Sequence, residues 1–357
     1  MSHRSLTSVF IVAALIAVIP AALTTAQTGA PASPKPPQPA RSAARAQAAK
    51  KAWTPTRTPW GDPDLQGVWN DATSTPLQRP NGRPETDLTG EEADRFQEEL
   101  AFGLSRDRRD GGNEVDVNRA YNEHWMDARR LKITADRRTS LIVDPADGRL
   151  PPPVPLSPER QKIRAAGAAA NARFLAGMPN NPEELALPVR CIIRTDAPPY
   201  LPTIYNNDFQ IFQSPGYVVI APEMIHSARI IPMDGRPHLG KTLRQWLGDT
   251  RGHWEGTTLV LETTNYRTDD GVAYQGANPA TYKITERFTR VADDTINYEF
   301  TISDPATWTK PWTAVIPWTK IDPAEQQYEY ACHEDNFDIV HLLTGARIRE
   351  KNAEGKR

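Results

Sequence analysis

From about Asp208 to Trp318 apolar and polar positions alternate with a period of two. Phe209-Gln210-Ile211, Tyr217-Val218-Val219-Ile220, Leu259-Val260-Leu261, Tyr282 to Phe288, Ile296 to Ile302 and Trp312 to Trp318 are short runs rich in β-branched and aromatic residues. Turn signals separate them: Ser214-Pro215-Gly216, Asp234-Gly235, Trp254-Glu255-Gly256, Ala292-Asp293-Asp294 and Asp304-Pro305. Short strands joined by hairpin-length turns, with no long helix between them, predict a mainly β protein. Its antiparallel meander either curls into a barrel or packs as a sandwich, with a few peripheral helices.

Helical signals lie outside this region. Thr89 is followed three positions on by Glu92, a capping box, and Ala93, Phe96 and Leu100 share one face. Ser157, with Pro158 in the first turn, opens an alanine-rich helix to about Gly177. A last helix is expected with Asp335 as its cap and Phe337, Val340 and Leu342 or Leu343 turned toward the body.

Ahead of all this, His3 and Arg4 precede an apolar run from Val9 to Leu23, and Thr24-Thr25-Ala26 supplies the small residues of a cleavage site. The run is too short to span a bilayer of about 30 Å and is broken by Pro20, so residues 1–26 read as a signal peptide. Processing then leaves no transmembrane span, and the destination is periplasmic or extracellular. Residues 27–52 are a Pro/Ala-rich basic linker, 53–347 a single β-rich domain with helical insertions, and 348–357 a charged tail.

Charge narrows the classes. The net charge of −2 includes Arg4, Lys35, Arg41, Arg45, Lys50 and Lys51 in residues 1–52, which hold no acid, so residues 53–357 carry −8. An acidic body does not bind nucleic acid as a basic patch would. The arginine-rich stretch from Arg106 to Arg138 interleaves nine basic with seven acidic residues and reads as a salt-bridged surface. Cys191 and Cys332 are the two cysteines. In an oxidising compartment the simplest reading is a disulfide tying the start of the β region to its end, the alternative being two buried thiols.

Several strings are familiar. Pro63-Asp64-Leu65-Gln66-Gly67-Val68-Trp69, Tyr205-Asn206-Asn207-Asp208, Arg229-Ile230-Ile231-Pro232 with Asp234-Gly235-Arg236-Pro237-His238, Trp254-Glu255-Gly256-Thr257-Thr258-Leu259-Val260, and Tyr328-Glu329-Tyr330-Ala331-Cys332-His333-Glu334 together resemble a large family of exported bacterial proteins of unknown function. The likeness covers roughly 53–347 and implies export and one shared fold, with no activity to carry over. Gly67-Val68-Trp69 is also similar to the Gly-x-Trp element that opens the first strand of lipocalin-like barrels, where the indole closes one end.

Three clusters could carry chemistry. Alternation places Glu286 on one strand face with Tyr282, Ile284 and Phe288. An inward carboxylate there serves either as a general acid or base or as the partner of an arginine on a neighbouring strand. A strand from Met224 to Met233 would put His226 on a face with Met224, Ala228 and Ile230, and Arg229 on the opposite face with Ile225 and Ile231. His333 and Glu334 follow Cys332 at a strand-to-helix junction, suited to a site or simply to capping. Glu286, His226 and His333 are thus the candidate catalytic groups. Tyr205, Arg229 and Glu334 are candidate anchors for a ligand, and Trp312 and Trp318 form either its stacking wall or core.

No pair among His226, His238, His253 and His333 has the spacing of a zinc helix, and no G-x-S-x-G elbow occurs, so no metal or other cofactor is assigned. The expected function is binding of a small molecule, sugar-like or flat and apolar, in a β-scaffold pocket. A lyase, isomerase or hydrolase using a Glu/His pair and an envelope structural or assembly protein are the alternatives.

Overall fold

In the computed structural model of the protein the described residues are 53–83, 87–105, 112, 126, 130–194, 196–225, 227–268, 274–322, 324–325 and 327–355. The expected signal peptide and linker, most of the arginine-rich stretch and His226 lie outside them.

Ten strands form one sheet: β1 (Gly67–Asn70), β2 (Ile142–Asp144), β3 (Asp208–Ser214), β4 (Tyr217–Pro222), β5 (Arg229–Pro232), β6 (Asp249–Glu255), β7 (Thr258–Thr264), β8 (Lys283–Ala292), β9 (Thr295–Ser303) and β10 (Trp312–Lys320). Three α-helices accompany them among the described residues: α1 (Gly90–Leu104), α2 (Pro158–Leu175) and α3 (Asp338–Glu354). The protein is mainly β, and the expected barrel alternative is the one adopted. The strand path runs β5-β4-β3-β1-β10-β9-β8-β7-β6, with β2 paired outside it on β10. Going round the wall, strands therefore follow chain order, and the first closes against the last.

The number of strands dictates where this barrel stays open. Its nine wall strands are joined by eight ladders, every one antiparallel. With an odd number of strands, eight reversals oblige the ninth junction, β5 to β6, to be parallel. A parallel pair needs a crossover rather than a hairpin, and connection 233–248 is of the required length, a dozen residues or more. No ladder forms at this junction. The two edges still meet through side chains: a Cβ added at Gly252 of β6 would lie 3.1 Å from Ile231 Cγ2 of β5.

Alternation builds the interior. In β8, β9 and β10 every second residue is buried, including Ile284, Glu286, Phe288, Ile296, Tyr298, Phe300, Ile302, Trp312, Ala314, Ile316 and Trp318. Trp318 stacks on Phe209 at 4.4 Å between ring centroids and meets Phe288 edge-on at 5.3 Å. Trp69, Tyr200 and Tyr298 are fully buried in the same cluster, so the tube is packed with side chains. Gly67 opens β1 at φ 133°, a backbone conformation that L side chains rarely adopt, and two residues on Trp69 turns inward, its Nε1 donating to Leu65 O at 2.9 Å.

The helices meet their expectations unevenly. Glu92 closes the capping box on Thr89, accepting from its N–H at 2.8 Å, and Ala93 and Phe96 are buried. Ser157 accepts from Arg160 N–H at the start of α2. At α3, however, the capping residue Phe337 and Val340 in the first turn point to solvent, 58% and 59% exposed, and the buried residue is Ala346. Asp335 is not its cap, because the chain turns through a positive φ there and the helix begins three residues later.

Candidate functional site

The strand expected from Met224 is shortened by its own backbone. Ile225 sits at φ 65°, in the left-handed region, which breaks the pleat: β4 ends at Pro222, residues 223–225 bend and turn, and β5 begins only at Arg229. Ile230 then faces outward, 68% exposed, while Arg229 and Ile231 enter the barrel. Of the face expected to hold Met224, His226, Ala228 and Ile230, Ile230 alone is on β5 and it turns outward, Met224 is buried ahead of the strand, and the inner face of β5 carries a guanidinium.

That guanidinium organises a buried network. Arg229 Nη2 donates to Glu286 Oε2 at 2.6 Å and Nη1 to Oε1 at 3.0 Å, a bidentate pair between side chains 3% and 0% exposed. Nη2 also donates to Thr250 Oγ1 and Thr263 Oγ1, both at 3.1 Å, and Nη1 to Tyr200 OH at 3.1 Å. Tyr298 OH donates to Glu286 Oε1 at 3.0 Å. Arg229 thus reaches from β5 over β6 and β7 to β8, and holds by side chains the junction that lacks a ladder. Burial works against its charge, but the Glu286 carboxylate and the Tyr200 hydroxyl outweigh burial and hold the guanidinium well above its ordinary pKa. Burial pushes the Tyr200, Tyr266, Tyr282 and Tyr298 phenols up. This is a locked ion pair, as in the second role expected for Glu286, but the arginine comes from β5 across the seam and not from a strand neighbouring β8.

On the outside, the seam between β5 and β6 opens into a groove. A parallel bridge between Gln245 and Tyr266, with Gln245 N–H donating to Asn265 O at 3.0 Å and Arg267 N–H to Gln245 O at 2.9 Å, lays connection 233–248 beside the segment after β7. This sets Arg244, Trp246 and Arg267 together. The Arg267 guanidinium lies 4.4 Å over the Trp246 ring, and Arg244 Nη1 donates to Tyr266 O at 3.0 Å. Cys191, Ile192, Ser227, Ala228 and His333 line the same open hollow, of about 880 Å³. A second hollow of about 290 Å³ shares Ala228, Gln245 and Leu247 with the first and continues along the seam to Arg229, Asp249 and Arg251.

The disulfide adjoins this lining through Cys191. Cys191 and Cys332 are bonded, with Cα atoms 5.7 Å apart, and Asn336 Nδ2 donates to Val189 O at 3.1 Å. A segment before β3 and one after β10 are thereby clamped, as expected from the sequence.

The expected site residues divide three ways. Glu286 and Arg229 come together in the interior. His333 is exposed at the groove, apart from Glu286, and Glu334 beside it is exposed outside the groove lining. Tyr205 accepts from Arg194 Nη2 at 2.6 Å, away from the groove. Trp312 and Trp318 are fully buried core residues and form no ligand wall. His238 Nδ1 lies 2.9 Å from Asp249 Oδ2 at the seam, and His253 Nε2 3.3 Å from Glu255 Oε1 on the outer surface. Among the described residues no group of three or more His, Cys, Asp or Glu is arranged to hold a metal. Nor is any helix among them long and apolar enough to cross a membrane.

Sequence reasoning missed Thr250, Thr263, Tyr200, Arg244, Trp246 and Arg267. The available signal was connection 233–248, too long for a hairpin and carrying Arg244-Gln245-Trp246-Leu247 just before β6. No protein family, curated protein or solved structure matches the chain.

Proposed function

We propose that this is an exported binding module that holds a small molecule in the seam groove, outside the filled barrel. The observation that carries this reading is a hollow of about 880 Å³ whose lining joins Trp246 to Cys191 and His333, the one bonded and the other adjacent in the chain to Cys332. A concave site of several hundred Å³, with an aromatic side chain and a few polar groups on a rigid frame, suits a drug-sized ligand. The packed aromatic interior argues against a ligand inside the tube. Glu/His chemistry receives less support, because Glu286 is engaged on all sides within the core while His333 stands on the surface. The leader-like N-terminus and the disulfide support export to the periplasm or beyond. The meander order and the buried Trp69 of the Gly-x-Trp opening support a lipocalin-like barrel.

The neutral fluorescent probe N-phenyl-1-naphthylamine tests the location. Saturable binding of one probe per chain is expected, weakened about tenfold or more by Trp246→Ala, the loss of one stacked ring. Binding that is indifferent to Trp246→Ala overturns the reading.

A further inference from the structure

We propose that the Cys191–Cys332 bridge is a site of reversible modification: a dithiol reductant opens it in the folded protein and releases the C-terminal arm, residues 331–355, from segment 176–192. The bonded form is the resting state of the exported chain. Release takes apart the hollow that Cys191, Ile192 and His333 help to line, whatever that hollow holds.

Backbone conformation is the first reason. Cys191 at φ 53°, Ala331 at φ 50° and Asp335 at φ 52° all lie in the left-handed region, and none is glycine. Such a conformation is unfavourable for an L residue and persists only where the surroundings enforce it. Here one of these residues is a bonded cysteine, and the other two flank its partner, Cys332. Opening the bridge lets all three relax.

The second reason is how lightly the arm is docked. In α3 the buried residue is Ala346, while Phe337, Val340 and Ile348 face solvent; α2, whose C-terminal end the arm meets, buries no residue. The arm reaches its neighbour by polar bonds to carbonyls: Asn336 Nδ2 donates to Val189 O at 3.1 Å, Arg347 Nη2 to Pro179 O at 2.7 Å and Arg349 Nη1 to Ala176 O at 2.9 Å. A segment that buries few apolar side chains opens locally at low free energy, and the barrel core of β8, β9 and β10 does not depend on it.

The third reason is that the two sulfurs are unequal. Cys191 is fully buried and Cys332 half-buried, so an incoming thiolate meets Cys332 first. It bonds to Cys332 Sγ, the S–S bond breaks, and the electron pair leaves on Cys191 Sγ, where Asn336 Nδ2 lies 3.1 Å away with an N–H to donate. The reductant's second thiolate then attacks its own sulfur in the mixed disulfide and expels Cys332 as a thiolate. Both protein thiolates take up the protons that the dithiol gave to water, so the protein disulfide gains two electrons and two protons and the reductant becomes the disulfide.

Dithiothreitol without denaturant, applied to the full, disulfide-bonded chain, tests this. Thiol labelling should show the bridge opening at a rate proportional to dithiothreitol and at least about tenfold faster than global unfolding. The reduced protein should lose hydrogen-exchange protection over 331–355 and keep it over β8, β9 and β10. Glutathione in place of dithiothreitol should leave its adduct on Cys332 and a free thiol at Cys191. Ala331→Gly relieves one left-handed position without touching either sulfur, and should shift the reduction equilibrium toward the bridge by about threefold or more. Reduction that waits for global unfolding, with arm and barrel losing protection together, makes the bridge a structural staple and overturns the proposal. An arm that stays protected after reduction, an adduct on Cys191, or a bridge no harder to reduce in Ala331→Gly overturns it too. None of these measurements uses a groove ligand, so failure of the binding reading leaves them intact.

Discussion

Arg229 on β5 and Thr250 on β6 are joined by a side-chain hydrogen bond of 3.1 Å across the junction of the barrel that has no backbone ladder. The same guanidinium continues to Thr263 and Glu286. One side chain therefore does, for this edge, what main-chain bonds do for the other eight junctions.

Removing one member of this pair strands the other in the core. Glu286→Gln is expected to lower stability by about 3 to 5 kcal/mol, as for other broken buried ion pairs, because the Arg229 charge is left without its counter-ion. Replacing both partners with apolar residues, Arg229→Met with Glu286→Leu, should recover most of the loss. Urea unfolding measures each variant; a Glu286→Gln protein as stable as the parent contradicts the account.

How far all this could be read in advance depends on what each feature rests on. Period-two alternation is a local property, and it brought Glu286 to the inner face with Ile284 and Phe288 and Trp312 into line with Trp318. The partner of Glu286 is not local. Arg229 was expected on a face with Ile225 and Ile231 of a longer strand, because Ile225 shows no turn signature; its left-handed conformation, which goes with a strand start at Arg229, is not written in the local sequence. β6, Asp-Thr-Arg-Gly-His-Trp-Glu, is polar or small at the inward positions Thr250 and Gly252, since it borders the seam and Arg229 rather than an apolar neighbour. The groove is harder still, because its lining comes from segments before β3, before β5, before β6, after β7 and after β10, which meet only once the barrel has formed.

The Cys191–Cys332 bridge closes a loop with a sequence separation of 141, for which chain entropy gives about 4 to 5 kcal/mol. Cys191→Ser with Cys332→Ser is expected to lose up to that amount and to weaken probe binding at the groove, since Cys191 and His333 form its wall. Non-reducing peptide mapping should recover the cross-linked peptides, and detection of two free thiols in exported protein would refute the bridge.

Alkaline pH provides a separate test of the interior. Tyr200, Tyr266, Tyr282 and Tyr298 all have phenols whose pKa is raised by burial, Arg229 opposing the effect at Tyr200. An unfolded tyrosine ionises near pH 10. The folded state therefore binds more protons than the unfolded state above that pH, so these groups' contribution is complete below about pH 10 and is lost as pH rises beyond it. Urea midpoints should fall steeply above pH 10, and ultraviolet titration of the folded chain should ionise fewer than its ten tyrosines. Ionisation of all ten without unfolding would show that these phenols reach solvent.

The close approach of β5 and β6 depends on the missing side chain at Gly252. A Cβ there would lie 2.5 Å from Met233 Sδ, 3.0 Å from Leu261 Cδ2 and 3.1 Å from Ile231 Cγ2, so a larger residue presses on both edges of the seam at once. Met233 is flexible and its sulfur can swing aside, which limits the effect of alanine; the Ile231 and Leu261 branches are fully buried and have nowhere to move. Gly252→Val is accordingly expected to destabilise by about 1 to 3 kcal/mol, the range for an overpacked core, and Gly252→Ala by less. Met233→Ala in the valine background should return part of the loss, giving a favourable coupling in a double-mutant cycle, because the methyls then occupy the space the sulfur vacates. Strictly additive effects would mean that Met233 and position 252 do not share that space, and that the seam is not drawn together at Gly252.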